Sequence, residues 1–481
     1  MNRRHPVNVR NQKLRLADIR RPYLKNEMKI KLLSTLLGVQ IAFTAFAADD
    51  ADIEALKQQI QALDQKVRIL ERQRENDEDT AATAAKSAPR ISLGASGFAF
   101  SSGDSNFVAQ LHGLIQLDSR TFFEDHGIRG NDSFLLRRAR PIFTGTVWHD
   151  FDFNFTPDFG GNTVQILDAF INYRYDPALQ LQLGKYKSPV GLENLQTDSY
   201  LLFNERSLAT ELVPNRDLGA ALHGDLFQGT LNYWAGIFDG SSDYNGTTTN
   251  SAFQDNKALA ARLFAQPWKN SSVSWLQGLG FGVGGSYESE DATNTISNGL
   301  TPGYTSDGQQ KWFSYSSGVF ASGNQWRISP QGYYYYGPLG IEGEYVVSDQ
   351  NVQKGGAKAD LQNTAWEISG SWVLTGEDAS FNGVTPRHPF DPRKNQWGAF
   401  QLVARFAELD VDSAAFPTFA TTASSAKSAE AWSAGLNWYL NRNIRANASF
   451  SRTTFDGYTG PTGTAPGQAE NTFFTRLQLA F

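Results

Sequence analysis

The sequence predicts an all-β protein: a transmembrane antiparallel β-barrel of about 16 strands with a short N-terminal coiled-coil helix. Three observations predict it. Residues 91–481 alternate apolar and polar side chains with period two, in runs near the roughly 10 residues that a tilted strand needs to cross a bilayer. The composition is aromatic-rich (13%) and charge-poor (19%), yet hydrophilic on average, with a mean hydropathy of −0.40. The chain also ends on Phe481, with apolar residues at every second position before it. A polytopic helical membrane protein is excluded, because each helical span needs about 20 mostly apolar residues. Zero Cys removes disulfides, thiolate metal sites and cysteine nucleophiles together. A net charge of −6 exerts no general pull on nucleic acid, and no nucleic-acid partner is expected.

The N-terminal third reads as three pieces. Residues 1–27 are basic, without apolar periodicity, and are expected to lie upstream of a true start at Met28. From there Lys29-Ile-Lys31, the apolar stretch Leu32 to Phe46 and Ala45-Phe-Ala47 predict a secretory signal peptide cleaved after Ala47. In residues 48–76, Ile53, Leu56, Ile60, Leu63, Val67 and Leu70 are spaced three and four apart, a coiled-coil seam expected in the periplasm. Three heptads are too short to be stable alone, so the seam is expected to rely on an oligomer held elsewhere. Residues 77–90 read as a flexible linker, and 91–481 as the barrel.

Within the barrel, one parity of 107–121 is Phe107, Ala109, Leu111, Gly113, Ile115 and Leu117, and the other includes Gln110, His112, Gln116, Asp118 and Arg120. Runs 166–175, 231–238, 258–265, 398–408, 430–440 and 471–481 behave alike. Alternation alone also fits a soluble β-sandwich or propeller. Charges on the polar parity favour a water-filled lumen, because a sandwich core could not bury them unpaired. Aromatics at run ends, Phe151, Phe153, Phe155 and Tyr333 to Tyr336, suggest a girdle at a lipid interface. Tight turns such as Asp176-Pro177-Ala178 alternate with long polar loops at 239–256 and 287–310. The terminal strand, with Phe473, Leu477, Leu479 and Phe481, matches the pattern read by the barrel-assembly machinery of outer membranes.

No catalytic constellation stands out: there is no H-E-x-x-H, no G-x-S-x-G and no P-loop, and no cofactor is expected. Asp239-x-Ser241-x-Asp243-x-Asn245 hints at calcium but lacks the glycine and distal glutamate of an EF-hand loop. The basic residues are more informative. Arg137, Arg138 and Arg140 crowd one strand start, Lys185, Lys187, Arg206 and Arg216 follow, and Arg262, Arg405, Arg445 and Arg476 share lumen parity later. Inward guanidinium and ammonium groups attract anions. The alternative for each is to pair with Asp168, Glu193, Glu205 or Asp217 and brace the barrel. Residues 91–481 hold 26 basic and 37 acidic residues, net −11, so an anion path depends on where the charge sits.

The strings Leu135-Leu-Arg-Arg-Ala-Arg140, Gly184-Lys-Tyr-Lys-Ser-Pro-Val-Gly-Leu-Glu193, Glu205-Arg-Ser, Val213-Pro-Asn-Arg-Asp-Leu-Gly219, Leu374-Thr-Gly-Glu377 and Trp397-Gly-Ala-Phe-Gln-Leu-Val-Ala-Arg405 resemble the phosphate-selective porin family of Gram-negative outer membranes. The resemblance implies a 16-stranded homotrimeric porin in outer-membrane lipid, with inward loops narrowing a channel that passes phosphate or polyphosphate. It carries the family's paired constriction arginines onto Arg137 and Arg138, its constriction aspartate onto Asp168, and a variable pore-lining position onto Lys187. The phosphate specialists' arginine ladder is missing, since 288–330 offers only Lys311 and Arg327, and their deep lysine and an early-strand arginine fall near Ser199 and Leu114. Adjacent Arg137 and Arg138 cannot both face inward on a regular strand, and a β-bulge there is one way out. Rival expectations are a non-selective or carbohydrate-accepting channel, an outer-membrane barrel enzyme, and an envelope tether acting through the coiled coil.

Overall fold

The computed structural model describes residues 50–123, 130–161, 164–243, 257–291, 299–459 and 468–481. The expected start at Met28 and the signal peptide lie outside these residues. The chain forms two units, residues 1–85 and 86–481.

Helix α1 spans Asp50–Ser87. Its seam residues Ile53, Leu56, Ile60, Leu63, Val67 and Leu70 are 44–63% exposed. The helix runs through most of the stretch expected to be a linker. Four alanines at 81, 82, 84 and 85 supply high helix propensity, with no Gly or Pro to interrupt it.

Residues 86–481 form the barrel. A hairpin of β1 (Arg90–Gly94) and β2 (Gly97–Ser101) comes first. There follow β3 (Phe107–Phe123), β4 (Ser133–Val147), β5 (Phe151–Asp158), β6 (Gln165–Asp176), β7 (Leu179–Lys187), β8 (Arg216–Leu226), β9 (Leu231–Phe238), β10 (Ala258–Ala265) and β11 (Leu279–Asp291). A small ribbon of β12 (Tyr304–Thr305) and β13 (Lys311–Phe313) interrupts them. Then come β14 (Phe320–Tyr336), β15 (Leu339–Lys354), β16 (Ala357–Val373), β17 (Ala399–Asp410), β18 (Ser428–Tyr439), β19 (Ile444–Asp456) and β20 (Gln468–Ala480). Each wall strand pairs antiparallel with its neighbour, and β20 returns to pair with β3 from Leu114 to Phe123, closing a 16-stranded ring. The part of β3 that β20 does not reach, Val108 to Leu111, pairs with β2 instead. The hairpin therefore covers the backbone groups that closure would leave unpaired.

The pleat sends alternate residues outward. Phe151, Ile171, Leu183, Leu263, Phe281, Leu477 and their like form the exposed apolar face that lipid requires. Phe473, Leu477 and Leu479 belong to it. Phe481 follows β20, and its backbone exchanges hydrogen bonds of 2.9 and 3.0 Å with Gly113. The tyrosine run divides by parity. Tyr334 and Tyr336 face outward, whereas Tyr333 stacks on Phe381 of an internal loop and Tyr335 donates to Glu342.

One end of the barrel carries short turns, among them 177–178, 227–230, 337–338 and 440–443; the other carries the long loops 188–215, 299–319 and 411–427. The 374–398 connection departs from this scheme, being long at the short-turn end. It folds back along the wall, with the Ala379 N–H donating to Gly337.

The lumen is not water throughout. At the long-loop end, Leu208, Leu212, Val213, Tyr304, Trp312 and Phe313 from two inward loops form an apolar core against Val346, Leu361, Ala365, Ala407, Leu409, Ala431 and Phe455 of the wall. Successive inward rows across β16–β19 read Ala365·Leu409·Ala429·Phe455, then Glu367·Ala407·Ala431·Thr453, then Ser369·Arg405·Ser433·Ser451. Alanines admit the aromatic plug, and the polar row below stops it. Burying these groups follows from the hydrophobic effect, as in a soluble core.

A Cβ at Gly113 would stand 2.6 Å from the Phe481 ring. Gly113→Val is therefore expected to destabilise the folded barrel by about 1–3 kcal/mol, read as a lower denaturant midpoint in detergent. An unchanged midpoint would contradict the close approach of the last residue to β3.

Candidate channel constriction

Loop 188–215 narrows the lumen, and its sequence explains how it is seated. Val190 rests on Gly284 of β11, where any Cβ would lie 2.3 Å from the Val190 carbonyl oxygen. Gln331 Nε2 donates to that same carbonyl at 2.6 Å. A single helical turn, α2 (Leu192–Leu195), begins there. Its Leu192 and Glu193 N–H groups donate to the Glu344 carboxylate of β15 at 2.8 and 3.0 Å, which satisfies donors a helix start leaves free. The Glu193 carboxylate then accepts from Ser207 N–H and Oγ, both at 2.7 Å, and from Thr210 Oγ1 at 3.1 Å. The loop is thus folded upon itself and clamped to the wall.

Opposite stands a wall of arginines. In the β3–β4 ladder Gln116 faces Arg138 and Leu117 faces Leu136, so Arg137 is the extra residue of a β-bulge. The expected bulge is present, and both arginines point inward. Arg137 binds Glu205 bidentately at 2.7 and 2.8 Å, and Arg120 adds a third bond at 2.9 Å. Arg138 donates to Gln116 at 2.7 Å and pairs with Asp198 at 3.4 Å. Arg140 bridges Asp158, at 2.6 Å, and Asp198. Arg206, from the loop itself, reaches Asp198 at 2.6 Å. Burial alone would raise the Asp198 carboxyl, but Arg138, Arg206 and Arg140 hold it well below the usual carboxylate range. Glu205 is lowered the same way: burial opposes its charge, and the adjacent Arg137 and Arg138 override it.

Between this wall, the loop and β5–β10 lies a cavity of about 570 Å³. Its charged lining is Arg140, Lys187, Arg216 and Arg262 against Asp168 and Asp198. Arg216 pairs with Asp168 through Nε at 3.0 Å and Nη2 at 3.3 Å. Lys187 Nζ donates to the Gln196 carbonyl at 2.9 Å, and Arg262 donates to Gln331 at 2.9 Å while lying 4.5 Å over Phe264. Among the described residues, neither of these two makes an ion pair. Phe170, Tyr186 and Trp234 supply an aromatic side to the same cavity.

Five residues singled out in the sequence thus meet in one place: Arg140, Asp168, Lys187, Arg216 and Arg262. Four others serve the loop. Arg137, Arg138 and Arg206 hold its carboxylates, and Arg405 is sealed beneath it, bonded to Glu193 at 3.2 Å, the Glu205 carbonyl at 3.0 Å and Asp307 at 3.0 Å. Lys185 is outside the lining of this cavity; its register partners are Ala169 and Leu218. The calcium hint also gives way: Asp243 accepts from Arg327 at 2.7 Å, and Asn245 lies outside the described residues. Asp198 was not anticipated. It sits in an aperiodic loop, where nothing local marks a carboxylate that will gather three arginines.

A sequence profile described as "Phosphate-selective porin O and P" matches residues 109–481. The chain belongs to this family. It is an outer-membrane porin, a channel-forming barrel. Among relatives, Porin O of Pseudomonas aeruginosa PAO1 is 24% identical over 415 residues, spanning 79% of this chain and 89% of that one. The outer membrane channel DcaP of Acinetobacter baumannii shares the fold at a TM-score of 0.51 and 10% identity, over 79% of this chain and 98% of that one. An anion-selective porin from Comamonas acidovorans has a TM-score of 0.49 and 12% identity, over 78% of this chain and 100% of that one. The porin's long loops are those that face outward in outer-membrane barrels, and its short turns face the periplasm.

A second inward loop of the porin, 299–319, locks onto the first. Asp307 accepts from Arg405, and also from Ser433 and Ser451 at 2.8 and 2.7 Å. Glu211 of the first loop accepts the Thr305 N–H and Oγ1, both at 2.9 Å. Burial, with Asp243 and Asp307 nearby, pushes the Glu211 carboxyl up to about 8, although the Thr305 bonds oppose this. The folded state therefore binds a proton that the unfolded chain releases at lower pH. Stability from this contact is full below the unfolded value and falls as pH rises toward about 8. Single-channel current noise should increase between about pH 6 and about pH 9 as the loops loosen, and Glu211→Gln should flatten that rise. Noise with the same pH dependence in the variant would remove Glu211 from the contact.

Proposed function

We propose that the porin passes small hydrophilic anions passively, without a cofactor, and selects them at the cavity lined by Arg140, Lys187, Arg216 and Arg262. One observation carries this reading: four cationic side chains face two carboxylates there, and among the described residues Lys187 and Arg262 stand outside ion pairs. In a narrow, low-dielectric passage such a surplus draws anions and repels cations. It acts although the barrel as a whole is acidic, because the field inside is set by the nearest groups. Phosphate is the solute the family's description names. Arg137 and Arg138 act indirectly, by fixing the loop that shapes the passage.

A second reading, passage of carbohydrate, has one observation in its favour. Phe170, Tyr186 and Trp234 stand in line on the same cavity, with ring centroids 5.9 and 6.2 Å apart, and could slide apolar sugar faces.

Planar-bilayer reversal potentials in a salt gradient test the first reading. The wild type should prefer anions, and Lys187→Gln with Arg262→Gln should lower the anion-to-cation permeability ratio about tenfold, the effect of removing two nearby charges at roughly 0.7 kcal/mol each. Cation preference in the wild type would overturn it. Saturable block by maltodextrins without such preference would favour the second reading.

The exposed seam of α1 supports a further assignment, a homotrimer whose helices pair as a periplasmic coiled coil after removal of the signal peptide. The chain has no cysteine, so Leu63→Cys should cross-link between protomers on oxidation, and Lys66→Cys, off the seam, should not. Equal cross-linking of both, or of neither, would count against the seam. Removal of the Phe481 ring should slow assembly into the membrane by the barrel-assembly machinery.

A further inference from the structure

A second cavity, of about 270 Å³, lies toward the short turns, beneath the loop tip at Ser199 and Tyr200. It borders the constriction cavity, since Leu114, Ile142 and Thr197 line both. Its polar lining includes His112, Arg442, Arg445 and Gln478, and contains no aspartate or glutamate. The 440–443 turn, residues 382–385 and Phe481 complete its walls.

Arg445 is the unusual group. It is only 3% exposed, yet it makes no ion pair among the described residues. Nη1 donates to the Leu201 carbonyl at 2.8 Å and Nη2 to Gln478 at 3.2 Å, while its Nε, like those of Arg138 and Arg405, is buried without a hydrogen-bond partner among the described residues. Tyr439 presents its ring 5.7 Å from the guanidinium carbon. Arg442 lies on the exposed turn at the rim, with only a long 3.5 Å contact to Ser96 Oγ. Elsewhere in the barrel, buried Arg138, Arg327, Arg405 and Arg476 each hold a carboxylate. A buried guanidinium without a counter-charge is costly, and a buried N–H without an acceptor adds to that cost. An oxyanion in the cavity would supply the missing counter-charge to the Arg445 guanidinium and draw Arg442 over it.

We propose that this cavity is a binding site for a small oxyanion, of the size and chemistry of inorganic phosphate, distinct from the constriction and on its periplasmic side. Arg445 is the inner ligand, Arg442 the outer one, and His112 and Gln478 line the approach. The shared lining gives an anion that clears the constriction a direct route to it. That supply rests on the anion passage proposed above; the binding itself does not.

Equilibrium dialysis of the purified full chain in detergent against radiolabelled inorganic phosphate tests the site. Arg445→Gln and Arg442→Glu should each weaken one class of bound phosphate by about tenfold or more, the loss expected for one charged hydrogen-bonding partner. Arg442 lies on an exposed turn, so its variant keeps the barrel folded, which unchanged heat-dependent gel mobility would verify. Lys187→Gln with Arg262→Gln should retain that class. Wild-type affinity in both Arg442→Glu and Arg445→Gln, or no phosphate bound by the wild type, would overturn the site. Cation-selective reversal potentials with this binding intact would overturn the anion passage and leave the site standing.

Discussion

The channel depends on ion pairs between carboxylates carried into the lumen by loops and guanidiniums fixed on the wall. Loop 188–215 brings Glu193, Asp198 and Glu205, and loop 299–319 brings Asp307. Arg405 binds both loops at once, and Asp198 alone collects three arginines. Buried ion pairs add little net stability over a well-packed apolar alternative, but breaking one by removing a partner costs several kcal/mol. Their value here is registry. A loop seated by bidentate, directional bonds has one position, and the passage beside it has one shape. The same pairing neutralises most of the arginines, so the surplus that an ion meets is small and local.

Two surfaces made from one alternating pattern explain the composition. Outward positions meet lipid and are predominantly apolar. Inward positions divide, with water and charge along β4–β10 and an apolar plug against β14–β19. The plug narrows the lumen without charge, and leaves the open path along the wall where the cations stand.

The strands were legible because a half-wet, half-greasy wall imposes period two, and β9 and β10 coincide with the runs read from the sequence. The bulge at Arg137 was legible too, from the steric fact that two adjacent residues cannot share a face. Parity said nothing of Lys185, which pairs with Leu218, a partner distant in sequence, and stands outside the cavity's lining. It was silent on Arg405, whose inward direction is as expected but which a loop then covers. Alanines at 365, 407 and 431 looked like any inward position, because what fills the space beside them comes from residues 304–313. The helix extended past its seam because alanine favours helix even where no apolar stripe continues.

Closure by β20 has a consequence for the order of events in folding. That strand carries Arg476 to Asp118, Glu470 to Ser306 and Gly308, and Gln478 to Ser199. The closing strand thus supplies contacts to the first wall strand and to both internal loops. Before it arrives, neither the ring nor the two loops can reach their final state, so no half-built barrel is already a narrowed one. Seating of the gate and sealing of the wall are one cooperative step, dominated by contacts between residues hundreds of positions apart.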